Sequence, residues 1–354
     1  MKDLLRIMIF LSIVLIGLFY LDPTISENDV LEAPRTVDPL PSEEITDDSL
    51  DIDRPATGIS TYIGKSSEEW IGAYGEPIRI EPSAFGYDWW IYNASYAHFM
   101  MTGVKDGKVV QVYTAGVAAD AAPYKIGQNL DDLYRFTILE NEVTVKYGET
   151  IYTFNVTAED MDKRILVKFD GVYAQLYIDS LDRALEAVRF MDAETLVRHQ
   201  PYDMMFSGEL MPIEMPSSKM QQSIDDANAK QIVDLVNVYR LHHQTKPLNL
   251  NPPTSAVAAA NSEDMAKQNF SSEELEFKDL HARLEEGNIA FEQAAVNTAA
   301  RYFDAAETVH GWINSDVHRK TLLSDQYNQT GVGVFGKYYT QIFLEKEPVI
   351  ASPQ

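Results

Sequence analysis

Any chemistry in this chain has to come from histidine, carboxylate and hydroxyl groups. Its 354 residues include seven histidines and 54 Asp plus Glu, but no cysteine. That zero removes disulfides, thiolate metal sites, iron–sulfur clusters and cysteine nucleophiles together. Imidazole titrates near neutrality and can act as acid, base or ligand, so the placement of the histidines comes first. His98 and His199 stand isolated, and His281 falls in a charged loop. His242 and His243 close a helical segment, where positive charge is favoured beside the last carbonyls. His310 follows Glu307 by three residues on one helical face, a spacing more common for a surface pair than for a ligand set. H-E-x-x-H does not occur, so a thermolysin-like protease is unsupported. G-x-S-x-G is missing too, as is a phosphate-cradling glycine loop, which removes support for an α/β-hydrolase.

Composition bounds the scaffold that must position these groups. A length of 354 residues suggests two domains, and 45% hydrophobic residues suffice for packed cores. With 29 Lys plus Arg the net charge is −25, which argues against nucleic acid or an anionic membrane surface as a partner. At the N-terminus, Lys2 and Arg6 precede an apolar run from Ile7 to Leu21, and no small-residue cleavage pattern follows. Residues 1–21 are expected to be an uncleaved signal anchor, the span running over 4–21. The rest of the chain would then lie outside the cytoplasm. Cleavage and secretion is the alternative. Residues 22–58 form an acidic, proline-containing linker; 22–57 hold eleven acids, two arginines and five prolines, the composition of an extended tether.

Residues 59–200 contain two echoing segments. Ile63-Gly64 and Ile126-Gly127 open them, and Asp106-Gly107 and Asp170-Gly171 supply hairpin turns at nearly the same offset. An internal duplication is the natural reading, with an α+β fold. The aromatic group Phe85, Tyr87, Trp89, Trp90 and Tyr92 alternates as in a strand and is expected mostly in the core, with a ligand platform on Trp89 or Trp90 as the other option. Residues 201–223, rich in Met, Pro and Ser, read as a linker.

From residue 224 the chain changes character. Ile232, Leu235, Val236 and Tyr239 form one helical stripe, and a second helix covers about 256–268. A third apolar-periodic segment covers about 298–314. Two strands, Gly331–Phe335 and Tyr338–Leu344, finish the region. Its ordered motifs are Asn237-Val238-Tyr239-Arg240, Pro247-Leu248, Ser262-Glu263-Asp264-Met265-Ala266, Gly311-Trp312-Ile313-Asn314-Ser315 with His318-Arg319, Gly331-Val332-Gly333-Val334, and Tyr338-Tyr339-Thr340-Gln341. Together they make residues 224–346 resemble a domain of the CAP superfamily, the group of cysteine-rich secretory, antigen and pathogenesis-related proteins. Residues 59–200 resemble the CAP-associated N-terminal domain of Gram-positive bacterial proteins. The resemblance implies an α+β fold class: a C-terminal α-β-α sandwich and a separate α+β N-terminal domain built from two repeated units. Residues 347–354 are left as a tail.

The family's cleft commonly holds two histidines and two acids, and some members bind a divalent metal there. Carried over by motif, His318 takes one histidine position and Glu307 one acid position. Ser272 stands where the second histidine belongs, and Val296, beside Asn297, stands where the second acid belongs. Serine and valine are poor replacements for zinc ligands, so no metal and no cofactor are expected in this tetrad. The cleft candidates are therefore Ser272, Val296, Asn297, Glu307 and His318, with Glu307 and His318 the catalytic candidates. The leading expectation is a non-enzymatic binding protein of the cell envelope, its partner an envelope component, a lipid or an exported protein. A hydrolase using Glu307 and His318, with Ser272 as nucleophile, is the alternative. A third reading assigns the function to the repeated N-terminal domain.

Overall fold

The computed structural model describes residues 24–34, 37–42, 52–270 and 279–346. The anchor expected at residues 1–21, the tail at 347–354 and Ser272 lie outside these residues. Among the described residues, no helix is long and apolar enough to cross a membrane.

Three short strands lead the chain: β1 (Thr24–Glu27), β2 (Leu31–Glu32) and β3 (Leu40–Pro41). Next come α1 (Ser67–Tyr74), β4 (Arg79–Pro82), β5 (Asp88–Tyr92), β6 (Met100–Lys105) and β7 (Lys108–Thr114). They are followed by α2 (Leu130–Phe136), β8 (Glu142–Tyr147), β9 (Thr150–Asn155) and α3 (Ala158–Lys163). The first half closes with β10 (Arg164–Phe169), β11 (Val172–Asp179), β12 (Ala184–Met191), α4 (Ala193–His199) and β13 (Asp203–Ser207).

Seven of these strands form one antiparallel sheet in the order β10-β11-β12-β7-β6-β5-β4. A four-stranded sheet, β3-β13-β9-β8, stands beside it. The echoing segments each place an N-capped helix ahead of a hairpin. Ser66 accepts from the Glu69 amide in a capping box at α1, and Asn129 caps α2. Asp106 and Gly107 both have positive φ, as a type I′ turn requires, whereas only Gly171 does in the second turn. Residues 201–223 are more structured than a linker, because β13 pairs with β9 and the next helix already begins at Ser218.

The second half consists of α5 (Ser218–His242), β14 (Asn249–Leu250), α6 (Pro252–Phe270), α7 (Leu280–Glu286) and β15 (Gln293–Ala300). After them come α8 (Ala305–Ile313), α9 (Asp316–Leu322), β16 (Gln329–Phe335) and β17 (Tyr338–Glu345). The apolar-periodic segment over 298–314 is thus strand, turn and helix. Small residues dominate Ala294–Ala300, and their burial in a central strand does not show a helical period. β15, β17 and β16 pair antiparallel, and β14 adds to β16 in parallel. Helices α5, α8 and α9 contact the sheet on one face, where Ala295, Ala299 and Phe343 share a core with Trp312. On the other face Val296, Ile342 and Leu344 share a core with Ala258, Leu280 and Leu284 of α6 and α7.

Two features were not legible in the residue pattern. The acidic linker is no free tether over its first part. β1 and β2 add in parallel to the edge of β15, and β3 adds to β13. Second, the two halves share one core: Tyr87, Trp89, Ile91, Tyr113 and Tyr177 of the first sheet join Leu235, Tyr239, Val309 and Trp312 of the second half. β5 alternates between cores, Trp89 and Ile91 facing this shared one and Tyr92 the outer core with Trp70. Trp89 is buried there and presents no open platform.

Candidate functional site

Most of the ordered motifs in the second half build structure. Asn237 bonds both backbone groups of Leu248, donating to its carbonyl at 3.1 Å and accepting from its amide at 2.7 Å. Buried Arg240 donates to the carbonyls of Lys246, Leu322, Ser324 and Tyr327, tying α5 to the loop that follows it and to the end of α9 and the turn beyond. Ser262 donates across to the Gly333 carbonyl at 3.0 Å. Gly331 and Gly333 let α6 lie directly on β16. A Cβ on Gly333 would stand 2.0 Å from the Ala259 nitrogen, and one on Gly331 2.4 Å from the Ser255 nitrogen.

The catalytic candidates engage separate partners. Glu307, on α8 after the Asp304 cap, is 2% exposed. Its carboxylate accepts from Arg164 Nη1 at 3.2 Å, Gln175 Nε2 at 2.9 Å and the Tyr177 hydroxyl at 2.9 Å, all from the first sheet. Arg164 also donates to Asp160 at 2.7 Å. Next to this group, buried Arg189 donates to Asp304 at 2.6 Å and faces His199 Nδ1 at 3.3 Å. His199 is therefore part of a buried network rather than isolated. Burial, aided by the Arg189 charge, holds its imidazole well below the ordinary range, while burial raises the Asp304 carboxyl against the pull of Arg189. His310, expected on the surface, is 3% exposed. Burial is the main force pushing its pKa down to about 4.

His318, on α9, is also buried, and both of its ring nitrogens are engaged within the chain. Nε2 lies 3.0 Å from the Asp29 carbonyl, which can only accept, so this nitrogen carries the proton. Nδ1 then accepts from the Ser315 hydroxyl at 2.8 Å. Burial lowers the His318 pKa. The Asp29 carbonyl reaches it because β1 and β2 run along β15 with residues 28–30 between them. Asn28 fixes that crossing by donating to Asn297 Oδ1 at 2.8 Å and Thr321 Oγ1 at 3.0 Å. Asn297 in turn donates to the His318 carbonyl at 3.0 Å.

Asn297 and His318 are thus brought together with the leading segment. Val296 points to the opposite face of β15, into the core with Ile342 and Leu284, so the strand's alternation takes it away from Asn297. Glu307 and His318 share no bond among the described residues. Between the halves lies a cavity of 340 Å³ of mixed character, lined by Leu31, Glu32, Glu159, Asp160, Lys163, Arg164, Tyr202, Tyr302, Glu307 and His310, among others. The contributions of Arg164, Gln175, Tyr177 and Asp29 were missed because they come from outside the aligned motifs, and no local spacing in the chain signals them.

The Cysteine-rich secretory protein family profile matches residues 233–343, and the CAP-associated N-terminal profile matches residues 63–202. A Bacillus subtilis protein described as "Uncharacterized membrane protein YlbC" is 37% identical over 348 residues, covering 98% of this chain and 100% of that protein. Among solved structures, an extracellular protein containing a SCP domain from Bacillus anthracis superposes with a TM-score of 0.76. It is 36% identical, and the match covers 86% of this chain and all of that one. A cysteine-rich secretory protein from Staphylococcus aureus gives a TM-score of 0.75 at 25% identity, over 90% of this chain and 100% of its own.

Proposed function

Since this chain belongs to the CAP superfamily and carries that superfamily's CAP-associated N-terminal domain, we propose that it is a non-enzymatic binding protein held at the outer face of the cell membrane. The observation that carries this reading is the internal satisfaction of Glu307 and His318, the two residues that the resemblance carries over to tetrad positions. A general base needs a lone pair facing substrate, and a ligand histidine needs one facing metal. Asp29 and Ser315 engage both nitrogens of His318, and three donors of the first half engage Glu307. Membrane attachment rests on the charged-then-apolar run before Leu21 and on the description of the Bacillus subtilis relative as a membrane protein. An anchor ending at Leu21 leaves only Asp22 and Pro23 before β1. The cavity between the halves sets carboxylates, Lys163 and Arg164 beside Leu31, Tyr202 and Tyr302, which suits an envelope component bearing polar groups.

Pull-down from envelope fractions with the full chain, alongside peptide and ester hydrolysis assays, tests this reading. His318→Ala is expected to change partner capture by less than about twofold. A hydrolytic activity that falls by about 100-fold or more in His318→Ala, the scale of lost acid–base catalysis, would overturn it.

A further inference from the structure

Away from the cleft, the far ends of β11 and β12 meet the C-terminus of α5. Asp179, Glu186 and His243 each direct one ligand atom to a common point, the three atoms lying within 4.8 Å of one another. Both carboxylates are buried. His243 Nε2 is 3.6 Å from Asp179 Oδ2 and 3.7 Å from Glu186 Oε1. These separations are too long for hydrogen bonds, and this buried nitrogen has no hydrogen-bond partner. They are close to the edge of a tetrahedron around zinc, about 3.3 Å for bonds of about 2.0–2.1 Å.

The surrounding groups support the same reading. His243 Nδ1 lies 3.3 Å from Asp182 Oδ2, so a proton on Nδ1 would face that carboxylate and leave Nε2 as the ligand nitrogen. His242 Nδ1 lies 2.7 Å from Glu186 Oε2, orienting that carboxylate with Oε1 toward the common point. Asp179 Oδ1 accepts the amides of Leu181 and Asp182. Arg319 bonds Asp179 Oδ2 and Asp182 Oδ2, so Asp179 Oδ2 would be shared between Arg319 and the ion. Charge points the same way. Asp179, Asp182 and Glu186 contribute three negative charges, and Arg319 is the permanent cation among them. Buried carboxylates require compensating positive charge, which a metal ion beside Arg319 would supply.

We propose that Asp179, Glu186 and His243 bind one divalent transition cation of the zinc class, which staples the first-half sheet to α5. The ligand set of one imidazole and two carboxylates suits zinc better than calcium or magnesium, which favour oxygen ligands throughout. The site is distinct from the tetrad positions, where His318 and Glu307 keep their internal partners.

The test is zinc titration of the chelator-treated full chain against a chromophoric competitor, with thermal unfolding followed in parallel. One zinc per chain is expected at sub-micromolar affinity, with Tm rising by several degrees. His243→Gln and Glu186→Gln are each expected to weaken binding at least tenfold, and His318→Ala is expected to leave it unchanged. Less than one equivalent bound by the wild-type chain at micromolar zinc would overturn the proposal, whether or not the variants fold. Full affinity in both ligand variants, or loss of binding in His318→Ala, would overturn it as well.

Discussion

At the residue scale, the groups between the halves are ion pairs taken almost completely out of water. Arg189 has no solvent exposure and meets the Asp304 carboxylate at 2.6 Å, while its guanidinium lies 5.3–6.0 Å from the rings of Trp89, Tyr113, Tyr177 and Phe303. Such a pair gives little net stability over an apolar replacement, but removing one partner strands a buried charge. Arg189→Met is therefore expected to lower unfolding stability by about 3–5 kcal/mol in urea titration. Adding Asp304→Asn should restore part of that loss, and the double-mutant cycle measures the coupling. No restoration would show that Arg189 acts through its ring contacts instead. Sequence reasoning singled out Glu307 as a candidate acid, but its environment depends on three donors more than a hundred residues away.

At the element scale, the glycine motif in β16 explains why α6 can lie on the sheet backbone to backbone. The close approach at Gly333 is to helix main chain, which cannot swing aside as a long side chain would. Gly333→Ala is expected to cost about 1–3 kcal/mol or more, as overpacking does, with the exchange protection of α6 falling first. An equal loss of protection in the first sheet would place the damage elsewhere. The motif was legible in the sequence; its reason was not, because the contact joins positions far apart in the chain. The leading strands were hidden for a different cause. β1 and β2 borrow their stability from the exposed edge of β15 through main-chain pairing, which leaves little mark on side-chain composition. An acidic stretch with prolines therefore reads as tether while part of it is sheet.

For the whole molecule, burial of titratable groups in the shared core makes stability depend on pH. An unfolded histidine titrates near 6.5, whereas folded His310 stays neutral down to about 4. Between these values the unfolded chain binds a proton that the folded chain does not. The contribution of His310 is thus complete above about pH 6.5 and is lost as the pH falls toward 4. His199 has the same sign; Asp304, with its carboxyl raised by burial, opposes them. The expected slope from each histidine is at most about 1.4 kcal/mol per pH unit. Urea unfolding at pH 7 and pH 5 should show the folded chain weaker at the lower value, with a smaller drop in His310→Gln. An unchanged drop would remove His310 as its source.

The sequence by itself determined the family and the α+β class, because these are written in ordered local motifs and in periodicity, and it singled out Glu307 and His318 as candidate site residues. Tertiary structure alone decided what those residues can do. Whether His318 has a free lone pair depends on the Asp29 carbonyl, whether Glu307 meets solvent depends on Arg164 and Tyr177, and whether His243 caps a helix or ligates a metal depends on Asp179 and Glu186. Each of these outcomes is set by pairing between distant segments. A side chain's chemistry follows from its desolvation and its neighbours, and the order of residues along a chain does not record either.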